Sequence, residues 1–438
     1  MKRFGNLIGL LTIAAIVGAS ILFLHNRTNI GLEPATASNQ LQELPTEIPP
    51  THTPYEPIVV RTVIAPPTLP PPIDPTPKPT PVATRVPVAQ PPFIPGDLPK
   101  DESFTVVYAE GDLIKAISSE SGAEARTLVD VKASTGLFLG KRENGGSAWA
   151  DVSPDGSQIA VVLTDIEQSP IMDGGFVSPN TVIYLLDVAT QKLEVLIEHA
   201  FNPIWSPDST SIAYLDAQTR GLKVMNFSDR SQKDIWAPET SSESVAEWIT
   251  WSADGKQIAF VQTWSAYANS GGIWVADLAN AGGLKQLVEK ESNAADLDWS
   301  PNSDQILYLT SYGDRDVLEG TKNLWIVGTV DGAQQQLTRN MTIYGQTWSK
   351  EGKWILFTGT HHLEGENPLY DLWLLSADGV ELKRLTDELD TDHFAPQWSQ
   401  HNAEIIFRKA GVGIFQLGIA DGSQREILNT DANFVLAQ

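Results

Sequence analysis

A short motif recurs along this chain at nearly constant spacing, and it restricts the fold more than any other feature. Six copies of a WSPDG-like segment align, and each is followed by an apolar run such as IAFV or ILYL. The tryptophan of the motif, replaced by Val152 in the first copy, recurs at intervals of 53, 46, 48, 49 and 50 residues. The copies begin at Asp151, Ile204, Thr250, Asp298, Thr347 and Gln397.

Each repeat predicts four short strands. The first strand (A) ends on the tryptophan, and a polar turn leads into the second (B), since Pro presets φ, Asp accepts backbone hydrogen bonds and Gly tolerates positive φ. Two further apolar runs (C and D) follow, separated by Gly-Gly or Asp-Gly, which favour a hairpin turn. A period near 50 residues with four strands is typical of one blade of a β-propeller.

The number of blades follows from counting the B, C and D strands. Seven such sets occur, because the segment Phe104–Val129 has the pattern without a preceding A strand. The apolar segment Asp431–Gln438 follows the last D strand and can supply the missing A strand, which would close the ring and remove exposed edges. We therefore predict an all-β, seven-bladed propeller over residues 101–438, with six or eight blades as alternatives because the first blade is the least regular.

The amino-terminal residues predict a membrane anchor. Lys2 and Arg3 precede an uncharged run from Phe4 to Leu24, long enough to cross a bilayer as a helix. We expect a signal-anchor helix within residues 1–27 in the cell membrane, with the amino terminus cytoplasmic and the propeller extracytoplasmic. A cleaved signal peptide is the alternative, with small residues at Ala35–Ala37. The chain has no cysteine, which excludes a lipid-modified cysteine and disulfide bonds.

Residues 28–100 have the composition of a linker. Of the 29 prolines in the chain, 19 lie between Pro45 and Pro99. Because proline lacks a backbone N–H and fixes φ, this density prevents helix or sheet from propagating. We predict a Pro/Thr-rich, disordered linker that holds the propeller away from the membrane as a semi-rigid spacer.

The WSPDG copies and the apolar strands that follow them resemble TolB-type, WD-repeat-like propeller repeats of bacterial exported proteins. The resemblance covers most of the chain after Lys100, and it implies a propeller that binds a partner at the cell envelope. Similar propellers also occur in prolyl-oligopeptidase-like peptidases, but those require an α/β-hydrolase domain with a G-x-S-x-G motif, which this sequence lacks. We therefore predict no catalytic residues and no enzymatic activity.

The candidate binding surface is the face that carries the long loops. In a propeller the A–B and C–D turns share one face, and the B–C loops and D–A connections share the other. The B–C loops and D–A connections are the ones that vary in length from blade to blade, and repeat proteins often bind partners through such loops. Aromatic and polar side chains in them are the predicted site: Trp264, Tyr267, Tyr312, Arg315, His361, His362, Tyr370 and His393.

The charge of the chain and the spacing of its histidines restrict the kinds of partner that it can bind. Residues after 100 hold 23 Lys/Arg against 48 Asp/Glu, so binding of nucleic acid is not expected. The His361–His362 pair lacks accompanying ligand spacing, and we predict no metal and no cofactor. The predicted partner is a protein, peptide or glycan of the cell envelope. The alternative function is a hydrolase or lyase acting in the central channel with groups such as Asp392 and His393.

Overall fold

The computed structural model describes residues 104–142, 150–165, 170–171, 180–239, 244–263, 271–279, 283–289, 294–310, 322–361, 369–386, 393–399, 402–430 and 435–437. The predicted anchor (1–27) and linker (28–100) lie outside these ranges. Within them, no helix is both long and apolar enough to cross a membrane.

The described strands form seven antiparallel blades, six of four strands and one of five, which confirms the all-β, seven-bladed propeller. Blade 1 begins with β1 (Thr105–Glu110), β2 (Leu113–Ser118) and β3 (Arg126–Asp130). Blade 2 contains β4 (Phe138–Leu139), β6 (Ala150–Val152), β7 (Gln158–Thr164), β9 (Val182–Asp187) and β10 (Leu193–Glu198). Outside the blades, β5 (Lys141–Arg142) and β8 (Pro170–Ile171) form a short parallel pair.

Blades 3 to 7 follow the strand order A, B, C, D along the chain. Blade 3 is β11 (Ala200–Trp205), β12 (Ser211–Asp216), β13 (Leu222–Asn226) and β14 (Gln232–Trp236). Blade 4 is β15 (Val245–Trp251), β16 (Gln257–Thr263), β17 (Gly271–Asp277) and β18 (Leu284–Val288). Blade 5 is β19 (Ala295–Trp299), β20 (Gln305–Thr310), β21 (Asn323–Gly328) and β22 (Gln334–Gln336). Blade 6 is β23 (Met341–Trp348), β24 (Trp354–His361), β25 (Asp371–Ser376) and β26 (Leu382–Arg384). Blade 7 is β27 (His393–Trp398), β28 (Glu404–Lys409), β29 (Gly413–Gly418) and β30 (Gln424–Leu428).

The carboxyl-terminal segment closes the ring. Strand β31 (Val435–Ala437) pairs antiparallel with β1, with Val106 opposite Ala437 and Tyr108 opposite Val435. It therefore occupies the A position of blade 1, as the sequence predicts for residues 431–438. Closure in this way removes the free edge that β1 would otherwise present.

The repeated tryptophans pack between blades. Trp205, Trp251, Trp299 and Trp348 are buried, and Trp398 is half-buried. Three of them donate an indole N–H to a carbonyl of the preceding blade, at 3.1 to 3.4 Å: Trp205 to Asp151, Trp251 to Ile204 and Trp398 to Thr347. The motif that sets the repeat thus also holds neighbouring blades together.

Two features of blade 2 differ from the predicted pattern. A five-residue helix, α1 (Val131–Thr135), precedes it, with Asp130 as its N-cap and Gly136 at φ 76° as its C-cap. The A strand is divided into β4 and β6, which pair with opposite ends of β7. One helical turn is too short to show a 3.6-residue period, so the sequence pattern did not predict it.

The A strands of blades 3 to 7 each contain a β-bulge. The register with strand B shifts a few residues before the tryptophan, and in four of these strands the residue three positions before it has positive φ. A bulge bends the strand and re-aims the side chains beside it. The four residues with positive φ are Asn202 (φ 50°), Trp248 (49°), Asp296 (52°) and Gly345 (58°).

Candidate functional site

The antiparallel order of the blades defines two faces. We call the end with the A–B and C–D turns the turn face, and the end with the B–C loops and D–A connections the crossover face. The chain enters β1 on the turn face, where the N–H of Phe104 donates to Ser119 Oγ (3.0 Å) beside the C–D turn of blade 1. The crossover face lies opposite this entry point.

An aromatic patch lies on the crossover face where blades 6 and 7 meet. Tyr344 of β23 and Tyr370, which directly precedes β25, pack edge to face with ring centroids 5.5 Å apart. Phe394 of β27 lies 5.9 Å from the Tyr370 ring. Tyr344 is 40% exposed, whereas Tyr370 and Phe394 are half-buried. The two inner rings thus support an exposed one, an arrangement found where proteins bind partners.

Lys322 adds a positive charge to this patch. Its ammonium lies 4.9 Å from the centre of the Tyr344 ring, within cation–π distance. Its backbone N–H donates to the carbonyl of Met341 (2.9 Å), which fixes the residue beside β23. Among the described residues no carboxylate forms a salt bridge with Lys322. We refer to Tyr344, Tyr370, Phe394 and Lys322 together as the aromatic patch.

Gly345 leaves space next to the exposed tyrosine. It occupies the bulge position that holds Asn202, Trp248 and Asp296 in blades 3 to 5, and it is exposed. A Cβ built at Gly345 would have Pro396 Cδ, at 3.7 Å, as its one neighbour within 4 Å. Blade 6 therefore lacks a side chain where the preceding blades have one, directly beside Tyr344.

A buried ion pair lies under the patch. Asp371 and Arg384 are 4% and 2% exposed, and Arg384 Nε donates to Asp371 Oδ2 at 2.9 Å. Thr386 Oγ1 donates to Asp371 Oδ1 at 3.1 Å and accepts the N–H of Leu372 at 3.0 Å. Because Asp371 is the residue after Tyr370, this network fixes the backbone that carries the tyrosine.

Two aspartates of the A strands join neighbouring blades through their carboxylates. Asp151 Oδ2 accepts the backbone N–H of Trp205 at 2.7 Å, and Asp298 Oδ2 accepts that of Trp348 at 2.8 Å. Desolvation raises the pKa of Asp151 to about 6 and the pKa of Asp298 to about 7, although the backbone hydrogen bonds oppose the rise. The nearby charge of Asp296 raises the pKa of Asp298 further.

Three aspartates of the turn face have a lowered pKa, in contrast to Asp151 and Asp298. Asp155, Asp208 and Asp254 each accept a hydroxyl hydrogen bond from the serine of their own turn, at 2.6 to 2.8 Å. These bonds lower the pKa of all three carboxyls, that of Asp254 to about 2. The repeated turn motif therefore uses its carboxylates to stabilise the turns.

Of the eight residues predicted as the site, the structure describes the side chain of Tyr370, which lies in the aromatic patch. His361 ends β24 opposite Met341, and His393 begins β27 opposite Lys409, but their side chains are outside the description. The other five lie in ranges that the structure does not describe, and their role stays a prediction: Trp264, Tyr267, Tyr312, Arg315 and His362.

Three members of the patch were not among the predicted residues. Tyr344 and Phe394 lie in A strands, whose apolar residues the repeat assigns to the core, and Lys322 follows a long loop. A signal was present in the sequence, because Tyr344-Gly345 places a glycine three residues before Trp348. That position holds larger residues in the preceding three repeats.

The structure does not test the catalytic alternative in the channel. Asp392 lies outside the described residues, and the side chain of His393 is not described. In the part of the chain that is described, no group of three or more His, Cys, Asp or Glu side chains is arranged to hold a metal ion.

Comparison with known proteins supports a relationship to TolB. No protein-family model matches the chain. The Tol-Pal system protein TolB of Anaeromyxobacter sp. (strain K) is 31% identical over 129 residues, which are 29% of this chain and 27% of that protein. The Tol-Pal system protein TolB of Anaeromyxobacter dehalogenans (strain 2CP-1 / ATCC BAA-258) is 30% identical over an equal share. The chain thus spans about a quarter of the length of these curated relatives.

Solved structures share the propeller fold at low sequence identity. An oligogalacturonate lyase in complex with manganese aligns with a TM-score of 0.53 and 13% identity, covering 75% of this chain and 86% of the lyase. A prolyl endopeptidase aligns with a TM-score of 0.52 and 11% identity, covering 74% of this chain and 48% of the peptidase. At these identities the likeness shows the fold alone. The WSPDG repeats and the seven blades identify the chain as a seven-bladed β-propeller protein, and 129 of its residues are similar to part of TolB.

Proposed function

We propose that this protein is an extracytoplasmic recognition scaffold of the cell envelope, which binds a protein, peptide or glycan partner through the aromatic patch. A single helix within residues 1–27 holds it in the membrane, and residues 28–100 act as the spacer. The similarity to the Tol-Pal system protein TolB supports a role of this class.

The observation that carries the proposal is the exposed Tyr344 ring with an ammonium on its face and no side chain beside it at Gly345. Tyrosine on a rigid support presents a large contact area at low entropic cost, and such residues dominate binding energy at protein interfaces. The patch also lies on the face opposite the one where Phe104 begins the described part of the propeller.

The test is affinity capture from intact envelopes with the full-length chain as bait. The variant Tyr344→Ala/Tyr370→Ala removes two rings of the patch. Its matched control is Val330→Ala/Val380→Ala, which truncates two exposed side chains (86% and 79%) in C–D turns of the opposite face. We expect the patch variant to retain about tenfold less partner, corresponding to a loss of about 1.4 kcal/mol, and the control variant to retain the wild-type amount.

Equal retention by the wild type and the patch variant would reject the site. Loss of capture in the turn-face variant alone would place the binding surface on the opposite face. Circular dichroism of each variant confirms that the propeller is folded.

A further inference from the structure

The position two residues before the repeated tryptophan is polar in blade 6 alone among the six copies of the motif. Blade 6 has Gln346 there, and its side chain is buried, with 6% exposed. A buried amide costs free energy unless its polar atoms are paired, so this exception to the repeat needs a specific cause. The other copies have Ala150, Pro203, Ile249, Leu297 and Pro396 at this position.

Only one end of the Gln346 amide is paired. Its Nε2 donates to the backbone carbonyl of Asp296 in blade 5, whereas its Oε1 is buried and accepts no hydrogen bond from the described residues. Turning the amide over would place Oε1 against the Asp296 carbonyl, which is also an acceptor, so the hydrogen bond fixes the orientation. An unpaired oxygen therefore lies at the boundary between blades 5 and 6.

Two carboxylates of blade 5 lie at the same boundary. Asp298 Oδ2 accepts the backbone N–H of Trp348 at 2.8 Å, and the side chain of Thr347 donates to the same carboxylate. Asp296 lies two residues before it on β19, close enough for the two charges to interact. Both aspartates are half-buried and therefore in contact with solvent. Since a carboxylate has about four acceptor positions, these bonds leave Asp298 able to accept a further ligand.

The strands around β19 supply no positive charge to these carboxylates. Strand β19 contacts β15, β16, β20 and β23, which contain no Lys or Arg. A water molecule that accepts from the indole N–H of Trp348, which also lacks a partner among the described residues, could donate to Gln346 Oε1. Such a water would add no positive charge beside Asp296 and Asp298. A cation would satisfy both the oxygen and the carboxylates.

We propose that Gln346 Oε1 and the Asp298 carboxylate bind a divalent metal ion that joins blades 5 and 6, with the carboxylate of Asp296 beside it. Donors that are all oxygen select hard cations, Ca²⁺ or Mg²⁺. Binding favours the ionised form of Asp298, which is also the better acceptor for the N–H of Trp348, so the ion and this hydrogen bond support each other. The site is independent of the aromatic patch and goes beyond the recognition function.

The boundary between blades 2 and 3 provides a matched control. Asp151 makes the same contact as Asp298, since its Oδ2 accepts the backbone N–H of Trp205 at 2.7 Å. The residue two positions before that tryptophan is Pro203, which offers no side-chain oxygen. Asp151 is therefore an equivalent carboxylate without the amide.

The test is titration of the full-length chain with the metal ion alone. The protein is freed of metal with EDTA, dialysed, and titrated with CaCl₂ or MgCl₂ by isothermal calorimetry in about 0.15 M NaCl, which screens the exposed carboxylates. We expect one saturable site and a melting temperature that rises with the concentration of the ion, because the ion binds the folded state. The two titrations distinguish Ca²⁺, which accepts irregular coordination, from Mg²⁺, which requires an octahedral site.

Substitutions that copy other blades identify the ligands. Gln346→Leu, which copies Leu297, and Asp298→Asn should each weaken binding by about tenfold or more. Gln346→Glu keeps an oxygen donor and should bind the ion at least as tightly as the wild type. Asp151→Asn should keep the wild-type affinity. Circular dichroism in EDTA checks that each variant is folded.

Three results would overturn the proposal. The first is the lack of saturable binding of either ion. The second is wild-type affinity in Gln346→Leu, which would leave a water as the partner of Oε1. The third is an equal loss in Asp151→Asn and Asp298→Asn, which would assign binding to the overall negative charge. Partner capture by the aromatic patch is decided separately by the Tyr344→Ala/Tyr370→Ala experiment.

Discussion

At the scale of single residues, the buried pair under Tyr370 shows how a repeated position can be specialised. Blade 5 fills the corresponding positions with Asn323 and Gln336, and Asn323 Oδ1 accepts the N–H of Met341 at 3.3 Å. Blade 6 has Asp371 and Arg384 instead, both almost completely buried. A buried ion pair is rarely more stabilising than a neutral one, but it tolerates loss of one partner poorly.

Substitution of Asp371 by Ala should therefore cost about 3 to 5 kcal/mol of unfolding free energy, because Arg384 would remain buried without its carboxylate. The double variant Asp371→Asn/Arg384→Gln copies the neutral residues of blade 5 and should recover most of this loss. Urea unfolding of the single and double variants measures both values. A double variant as unstable as Asp371→Ala would contradict the assignment of the cost to loss of the Asp371 carboxylate from Arg384.

The residues of the binding patch were only partly predictable. Tyr370 could be found because it ends a long loop that interrupts the repeat. Tyr344 and Phe394 lie inside repeating A strands, where alternation predicts core, and the β-bulge before the tryptophan re-aims this part of the strand. Since a bulge results from pairing between strands, a single strand sequence does not reveal it.

At the scale of elements, the strands and their order were predictable because each repeat contains its own turns. The closing strand β31 was predictable for the same reason, since blade 1 lacked one strand and the chain had one apolar segment left. The helix α1, the divided A strand of blade 2 and the β5–β8 pair were not predicted. They depend on contacts in the one repeat whose motif tryptophan is replaced, by Val152.

Removal of β31 tests how much ring closure contributes to stability. A chain ending at Thr430 loses the partner of β1, whereas a chain ending at Ala437 retains it. We expect the first to melt at a lower temperature and to form oligomers through the exposed edge of β1, and the second to behave as wild type. Light scattering and thermal unfolding measure both effects, and a synthetic peptide of residues 429–438 should restore the monomer. A monomeric truncated chain with the wild-type melting temperature would show that closure contributes little.

At the scale of the whole molecule, two sets of aspartates act on stability in different pH ranges. Turn-face aspartates such as Asp254 have lowered pKa values, so the stability they contribute is lost only as pH falls below about 4. Asp151 and Asp298 have pKa values raised to about 6 and about 7 from an ordinary value of 3.8. Between about pH 4 and pH 7 the folded chain therefore binds more protons at these two sites than the unfolded chain does.

This difference in bound protons sets the direction in which the free energy of unfolding changes with pH. The free energy of unfolding should fall as pH rises from about 4 to about 7 and should then level off. Each unit of pKa shift corresponds to about 1.4 kcal/mol, so the two shifts set an upper bound of about 7 kcal/mol on the fall. Urea unfolding at pH 4.5, 6 and 8 measures the slope. The variant Asp151→Asn/Asp298→Asn should show a flatter profile and should be at least as stable as wild type at pH 8, because it removes two half-buried, desolvated charges.

Self-repulsion of the whole chain, with a formal charge of −24, would also lower stability at higher pH. High salt separates the two causes, since it screens exposed charges strongly but acts less on the half-buried carboxyls of Asp151 and Asp298. The slope should therefore persist in about 1 M salt for the wild type, where the Debye length is about 3 Å, and should stay flat for the double variant. A slope that salt abolishes, or one that both chains share, would assign the effect to surface charge and not to Asp151 and Asp298.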